Sequence, residues 1–255
     1  MKKFKFFAIL AVVCVTVAAV VGGTLAYFTD SQEMTSVFTS GNVYIELTEA
    51  AVKADDRGNL VADTEKDRLS GGALNSPTVN DYGVLFPGQS VYKDPTVKNV
   101  GTSDAWVAMK MIVTDGAGDI HNALGYSGND SIDVKALLSG GLLSEAQTVQ
   151  TWNGISGVHV SENYAFLQVP NRAEGRYEFY FFMQKELATN ETVTLFDTLK
   201  IDETCTNELM KEFVEFKITI QAFAVQTFGF ESCFEAMNGA FGSHFADVAK
   251  LVPTV

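Results

Sequence analysis

The sequence has few of the side chains from which catalytic and metal sites are built. Its 255 residues contain three histidines and three cysteines. The histidines are His121, His159 and His244, which stand in unrelated surroundings and form no His-Glu-x-x-His motif. Phosphate-binding loops, dinucleotide fingerprints and nucleophile elbows are missing as well. The residues therefore predict no catalytic site, no metal site and no bound cofactor.

One weak signal for a cation remains. Asp115, Asp119 and Asp130 lie in glycine-rich stretches and carry the carboxylate oxygens that calcium prefers. Their spacing is not that of an EF-hand loop. Solvated loops are the simpler interpretation, so no metal ligand is assigned here and calcium is kept as the alternative.

Positive charge is also scarce. The chain has 18 lysines and arginines against 31 acidic residues, a net charge of −13. Removing residues 1–26 would take away three lysines and no acid, which leaves −16. A chain of this charge, with no basic cluster, repels nucleic acid and anionic lipid. We expect no nucleic-acid partner, and a membrane contact only through the N-terminal segment.

The N-terminal segment has the three parts of an export signal. Three lysines within the first five residues precede an apolar run at 6–21, and Gly22-Gly23 follows it. Thr24 and Ala26 are the small residues that a signal peptidase recognises, so cleavage is predicted between Ala26 and Tyr27. The alternative is an uncleaved anchor, because the run approaches the length that spans a bilayer.

Two cysteines would remain after cleavage, Cys205 and Cys233, since Cys14 lies in the apolar run. Outside the cytoplasm such a pair can form a disulfide. It would close a loop of about 28 residues and contribute roughly 3 kcal/mol by restricting the unfolded chain. The alternative is two unpaired small core residues.

Alternating apolar residues predict strands along much of the chain. The clearest runs are 41–47, 105–113, 176–184, 192–201 and 211–226. Both faces of 105–113 are apolar, so this strand is expected at the centre of a sheet or beneath a cover. Residues 189–191 are expected to form a hairpin turn. Residues 230–248 repeat apolar side chains at helical spacing and predict a lid near the C-terminus.

Two stretches interrupt the strand pattern. Residues 50–81 are rich in charge and glycine and are interpreted as a long surface insertion. In residues 115–160 the pattern of apolar residues gives the weakest indication of secondary structure. Short helices are expected there at 132–138 and 142–149.

The N-terminal junction resembles a known family. Residues 22–30, GGTLAYFTD, and 37–43, VFTSGNV, are similar to the signal and mature start of TasA/camelysin-type proteins of Gram-positive bacteria. Residues 85–90 leading to 97–102, and the strand 218–226, are similar to later elements of that family. The resemblance implies processing by a SipW-type signal peptidase and a role in extracellular biofilm-matrix fibres. The camelysin name also implies a metallopeptidase, for which the zinc motif is missing.

The predicted organisation is a signal peptide at 1–26, an N-terminal donor segment at 27–40 and one domain at 41–255. We expect the domain to be all-β: a jelly-roll-like antiparallel β-sandwich with short helices in the insertions and near the C-terminus.

The donor segment 27–40 has no proline and carries Phe28, Met34 and Phe38 with nothing local to bury them. Such a strand can complete the exposed edge of a neighbouring sheet. We therefore expect a secreted structural subunit of extracellular fibres, whose partners are further copies of itself or other matrix subunits. The alternatives are a camelysin-type secreted metallopeptidase and a surface adhesion or ligand-binding module.

N-terminal sequencing of the exported protein is expected to begin at Tyr27, because the small residues Thr24 and Ala26 direct cleavage after Ala26. A chain that begins at Met1, or that carries lipid on Cys14, would contradict the secreted form.

Overall fold

The computed structural model of the chain describes residues 29–32, 42–72, 82–83, 85–114, 138–171, 176–201, 203 and 217–252, with 29–32, 170–171 and 176 described by their backbone alone. The strands in chain order are β1 (Thr29–Gln32), β2 (Ile45–Glu49), β3 (Val52–Ala54), β4 (Leu60–Ala62), β5 (Leu69–Ser70), β6 (Ser90–Tyr92), β7 (Thr96–Asn99), β8 (Ala105–Thr114), β9 (Leu138–Ser139), β10 (Thr148–Trp152), β11 (Ile155–Val160), β12 (Tyr164–Asn171), β13 (Arg176–Met183), β14 (Thr192–Thr194), β15 (Thr198–Lys200) and β16 (Lys217–Gln226). The helices are a 3-10 helix, Gly141–Ser144, and two α-helices, α1 (Cys233–Phe241) and α2 (Ala246–Ala249).

The strands form three sheets. The largest has seven strands in the order β1-β16-β8-β13-β12-β11-β10. The other two have the orders β14-β7-β2-β5 and β3-β4-β6-β15-β9. Every pairing among the described strands is antiparallel except that of β4 with β6. The chain passes repeatedly between the large sheet and the two smaller ones, for example between β7 and β8, β13 and β14, and β15 and β16, as in a jelly roll.

The seven-stranded sheet is covered on both faces. Alternate side chains of β8, β13 and β16 enter a core shared with the two smaller sheets. Its members from β8 are Val107, Met109, Met111 and Val113, and those from β13 are Tyr177, Phe179, Phe181 and Met183. This packing of one sheet against two others is a β-sandwich.

The opposite face of the same sheet packs against the C-terminal helices. Phe245 is fully buried there, with its ring 5.2 Å from that of Phe223 in β16 and 5.5 Å from that of Phe182 in β13. Helix α1 begins at Cys233 because the Ser232 side chain accepts a hydrogen bond from the Glu235 N–H and caps the first turn. The predicted helical lid is therefore present. No helix in the described part of the chain is both long enough and apolar enough to cross a bilayer.

The expected fold class is confirmed. The chain is an all-β, jelly-roll-like antiparallel sandwich with short helices near its C-terminus and one 3-10 turn between strands. The prediction for 105–113 is also confirmed, because β8 lies between β16 and β13 and is buried on both faces.

Three local expectations were wrong. Residues 50–81 are not a simple insertion, since β3, β4 and β5 within them belong to the two smaller sheets. Residues 142–149 form one 3-10 turn and then the start of β10 rather than a helix. The run 192–201 is split into β14 and β15, which belong to different sheets. Residues 189–191 lie between β13 and β14, which also belong to different sheets, so they form a turn between sheets rather than a hairpin.

The aromatic centre of the sandwich yields a prediction on stability. Phe181 is fully buried, and its ring lies 4.8 Å from that of Phe166. Phe181→Ala is expected to reduce the free energy of unfolding by about 3–5 kcal/mol, because it leaves a cavity in a packed core. Phe86→Ala is the control, since Phe86 is 60% exposed and its loss should change stability by less than about 0.5 kcal/mol. Urea unfolding of both variants measures the difference, and equal midpoints would contradict the packing.

Candidate functional site

Strand β1 is the part of the predicted donor segment 27–40 that the structure describes. It forms one edge of the seven-stranded sheet and pairs antiparallel with β16 of the same chain. The register aligns Thr29 with Val225 and Gln32 with Ala222. Part of the predicted donor segment thus lies against its own domain as an edge strand.

The strand that receives β1 is buried on both faces over its second half. Ala222 and Ala224 enter the sandwich core, while Phe223 and Val225 enter the core beneath the C-terminal helices. The main-chain groups of β16 are satisfied on one side by β8 and on the other by β1 over four residue pairs. Without β1, this half of β16 would be an open edge with buried side chains and unpaired main-chain groups.

A buried ion pair lies in the middle of the same sheet. Lys110 Nζ in β8 is 2.8 Å from Glu178 Oε2 in β13, and the two side chains are 10% and 1% exposed. The Tyr180 hydroxyl also donates to Glu178 Oε2, and Lys110 Nζ lies 5.0 Å from the centre of the Tyr180 ring. Lys110 is aligned with Gln221 of β16. The pair therefore lies beside the strand that carries β1.

His244 adds a titratable group near this pair. Burial lowers the pKa of His244, and the positive charge of Lys110 lowers it further. Its ring lies 5.2 Å from that of Phe223. The neutral imidazole is thus the favoured form in the folded protein, which suits a side chain packed among aromatic rings.

A second charged network joins strands of the two smaller sheets. Asp94 accepts hydrogen bonds from the Ala50 N–H at 2.7 Å and from Arg68 Nη1 at 2.7 Å. The ammonium of the neighbouring Lys93 lies 2.6 Å from Glu49 Oε1. These groups are engaged with one another, and their role is to hold the loop between β6 and β7 against β2 and β5.

Most of the predicted site residues lie outside the described residues. This holds for the cleavage-site residues Thr24, Ala26 and Tyr27 and for the assembly residues Phe28, Met34 and Phe38. Their roles stay predictions. The described part of the donor segment is the backbone of β1.

The disulfide pairing of Cys205 with Cys233 also stays a prediction, because Cys205 lies outside the described residues. Cys233 is a free, buried thiol in this structure. Its Sγ donates a hydrogen bond to the Val107 carbonyl at 3.1 Å, and burial raises its pKa. A protonated thiol within a helix–sheet core fits the alternative of a small core residue.

The histidines and aspartates considered as metal ligands are not brought together in the described residues. His159 lies in β11 with its ring 5.6 Å from that of Phe166, and His244 lies between α1 and α2 with its ring 5.2 Å from that of Phe223. Within those residues, no group of three or more histidine, cysteine or acidic side chains could hold a metal ion. His121 and the aspartates at 115, 119 and 130 lie outside them.

The second edge of the large sheet was missed by the sequence analysis. Strand β10 forms that edge, and Asn153 and Gly154 join it to β11 with φ angles of 46° and 81°. An Asn-Gly pair between two β-forming runs is the strongest short signal for a tight hairpin, because both positions need positive φ. That dipeptide would have located both strands.

The buried ion pair yields a prediction with a matched control. Lys110→Met removes the ammonium that faces buried Glu178 and is expected to cost about 3–5 kcal/mol. Adding Glu178→Gln should recover much of that loss, because the buried charge is then removed as well. In the control, Lys185→Met breaks the exposed pair with Glu162, which is worth about 0–1 kcal/mol. Equal urea midpoints for the two lysine variants would contradict this account.

Comparisons with protein-family models, with curated proteins and with solved structures find no match to this chain. The resemblance of its N-terminal junction to TasA/camelysin-type proteins therefore rests on the quoted residues alone. The feature that the structure contributes to a functional proposal is the sheet edge formed by β1 and β16.

Proposed function

We propose that the protein is a secreted structural subunit of extracellular fibres or matrix, and that its copies assemble by exchanging the strand β1. One observation carries the proposal: four residues of the segment 27–40 form the outermost strand of the largest sheet. An outermost strand can be replaced by the same strand of a second copy while the rest of the sheet stays unchanged.

Exchange conserves the pairing that β1 already makes. The residue pairs from Thr29 with Val225 to Gln32 with Ala222 would form between two copies instead of within one. Because both arrangements contain the same pairs, the balance between them depends on protein concentration and on the connection between β1 and the domain.

The connection is long enough for exchange. Nine residues, 33–41, separate β1 from the next described residue, Asn42. Fully extended, a segment of this length reaches at most about 30 Å. That distance allows β1 to cross from its own domain to the edge of a copy in contact with it.

A filament forms when the exchange is not reciprocal between two copies. Each copy would give its β1 to one neighbour and receive a β1 from another at its own β16. Such a head-to-tail relation extends indefinitely when its rotation does not close a ring. Other matrix subunits with an equivalent strand would be accepted in the same way.

The proposed signal peptide would couple this assembly to export. It ends at Ala26, and only Tyr27 and Phe28 separate it from the first residue of β1, Thr29. An intact precursor would therefore keep β1 tethered to the membrane. Cleavage by a SipW-type signal peptidase would release the strand. Fibre growth would then take place outside the cell, where the secreted product accumulates.

The main-chain pairing of β1 gives the test. In the variant Asp30→Pro with Ser31→Pro, two neighbouring positions of β1 lose their N–H groups. Neighbouring residues of a strand direct their main-chain groups to opposite sides, so one of the two lost N–H groups faces the partner strand. We expect a folded protein that forms no fibres. The control, Asp30→Ala with Ser31→Ala, keeps both N–H groups and should assemble at the wild-type rate. Electron microscopy and light scattering follow assembly, and circular dichroism checks folding.

Deletion of residues 27–40 should have the same effect as the two prolines. Fibre growth at the wild-type rate by either altered chain would contradict strand exchange. Equal loss of assembly in the alanine control would also contradict it, since that variant retains the main-chain donors.

A further inference from the structure

Among the described residues, no strand lies beyond β10 at the edge of the seven-stranded sheet opposite β1. Strand β10 is the last strand in the described order and pairs on one side with β11. Its first four side chains are exposed, and Val149 is 64% exposed. No described element pairs with the outer main-chain groups of β10. An edge strand with unpaired main-chain groups can accept another strand.

The composition of β10 is unusual for an exposed edge. Its sequence, TVQTW, has no charged residue, no proline and no glycine. Edge strands of soluble proteins commonly carry lysine, proline or a bulge, because these discourage pairing between molecules. The register with β11 is irregular between Gln150 and Trp152, where one residue of β10 faces Ser156 and Gly157 of β11, so the extra residue lies on the inner strand. The pairing of β10 is regular over the three residues from Thr148 to Gln150.

Charge decides which partner this edge fits. The chain carries a net charge of −13, so two copies repel one another over most of their surfaces. The β10 edge is neutral, and the exposed Glu162 in the loop after β11 is paired with Lys185 at 2.6 Å. A contact between copies at this edge therefore places no charged side chain of β10 against its copy.

We infer that β10 pairs with β10 of a second copy, antiparallel and centred on Val149. In this register Val149 lies opposite its symmetry mate, and Thr148 lies opposite Gln150. Apolar thus meets apolar and polar meets polar, so the edge is complementary to itself, as a two-fold contact requires. The two large sheets become one continuous sheet across the contact.

This contact is independent of the proposed exchange of β1, because it uses the opposite edge of the sheet. Its short regular length makes it a weak contact between single copies. In a filament the same contact repeats along the length, and repeated weak contacts add to a strong one. The β10 edge would then join filaments side by side, whereas β1 would join copies end to end.

The test separates the two edges. All measurements use the full chain as the host releases it, in the Asp30→Pro and Ser31→Pro background, which removes the β1 contact. Sedimentation velocity over a range of concentrations should show a reversible dimer. Val149→Lys should weaken the dimer at least tenfold, because it places two ammonium groups opposite one another on the edge.

The matched control is Val61→Lys. Val61 is an exposed valine, 37% exposed, in the middle of β4, which has a partner strand on each side. Val61→Lys introduces the same charge into a strand that is not a sheet edge, so this substitution should leave the dimer unchanged. Equal weakening by both lysine variants would overturn the inference. A protein with unaltered β10 that stays monomeric up to its solubility limit would overturn it as well.

Cross-linking tests the register itself. Thr148→Cys mixed with Gln150→Cys should give a disulfide-linked dimer under mild oxidation, because these positions face one another across the contact. Either variant alone should give far less, and Val149→Cys alone should cross-link with its own copy. The absence of the mixed dimer, with a dimer still seen in sedimentation, would overturn the Val149-centred register and the inference with it.

These outcomes can be distinguished from a failure of strand exchange. If fibres persist in the proline background, the proposed function fails while the effect of Val149→Lys can still be measured. If fibres are lost but the lysine variants behave alike, strand exchange stands and the β10 contact is refuted.

Discussion

The structure depends on the pairing of β8 with β13 on one side and β16 on the other. These three strands are buried on both faces, so each contributes alternate side chains to two separate cores. A slip of one residue would exchange those sets and move Lys110 or Glu178 from beneath the C-terminal helices into the aromatic core of the sandwich. Burying an unpaired charge in that core would cost free energy. The buried ion pair therefore favours the observed register of the three strands.

The same arrangement determines where the molecule can interact through its main chain. A sheet covered on both faces has only its edges left for pairing, and the described edges of the large sheet are β1 and β10. One edge is formed by a strand from the N-terminal segment, and the other by a neutral hairpin strand. In a strongly acidic protein, the absence of charged side chains from β10 reduces the electrostatic opposition to contact between copies at that edge.

Part of the fold could be predicted because it depends on local pattern. The strands at 105–113 and 176–184 and the C-terminal helical lid follow from the spacing of apolar residues such as Met109, Phe181 and Phe245. The split of 192–201 could not be predicted in this way. Val193 and Leu199 are buried on either side of the point where the chain leaves one sheet for another, and Leu195 and Phe196 are both buried at that point. The apolar pattern therefore continues without a polar turn that would mark the break. Periodicity reports which side chains are buried, but not which sheet buries them.

For the candidate site, the sequence by itself determined the chemistry that is available: a short segment with apolar residues behind an export-type junction, an acidic chain, and no motif for catalysis. Only the tertiary structure decided that part of this segment lies beside β16 and that the residues around Val149 form the opposite edge. The physical reason is that a strand's hydrogen-bonding partners lie far away in the sequence. Thr29 and Val225 are aligned in space although most of the chain separates them, and no local pattern encodes a pairing at that separation.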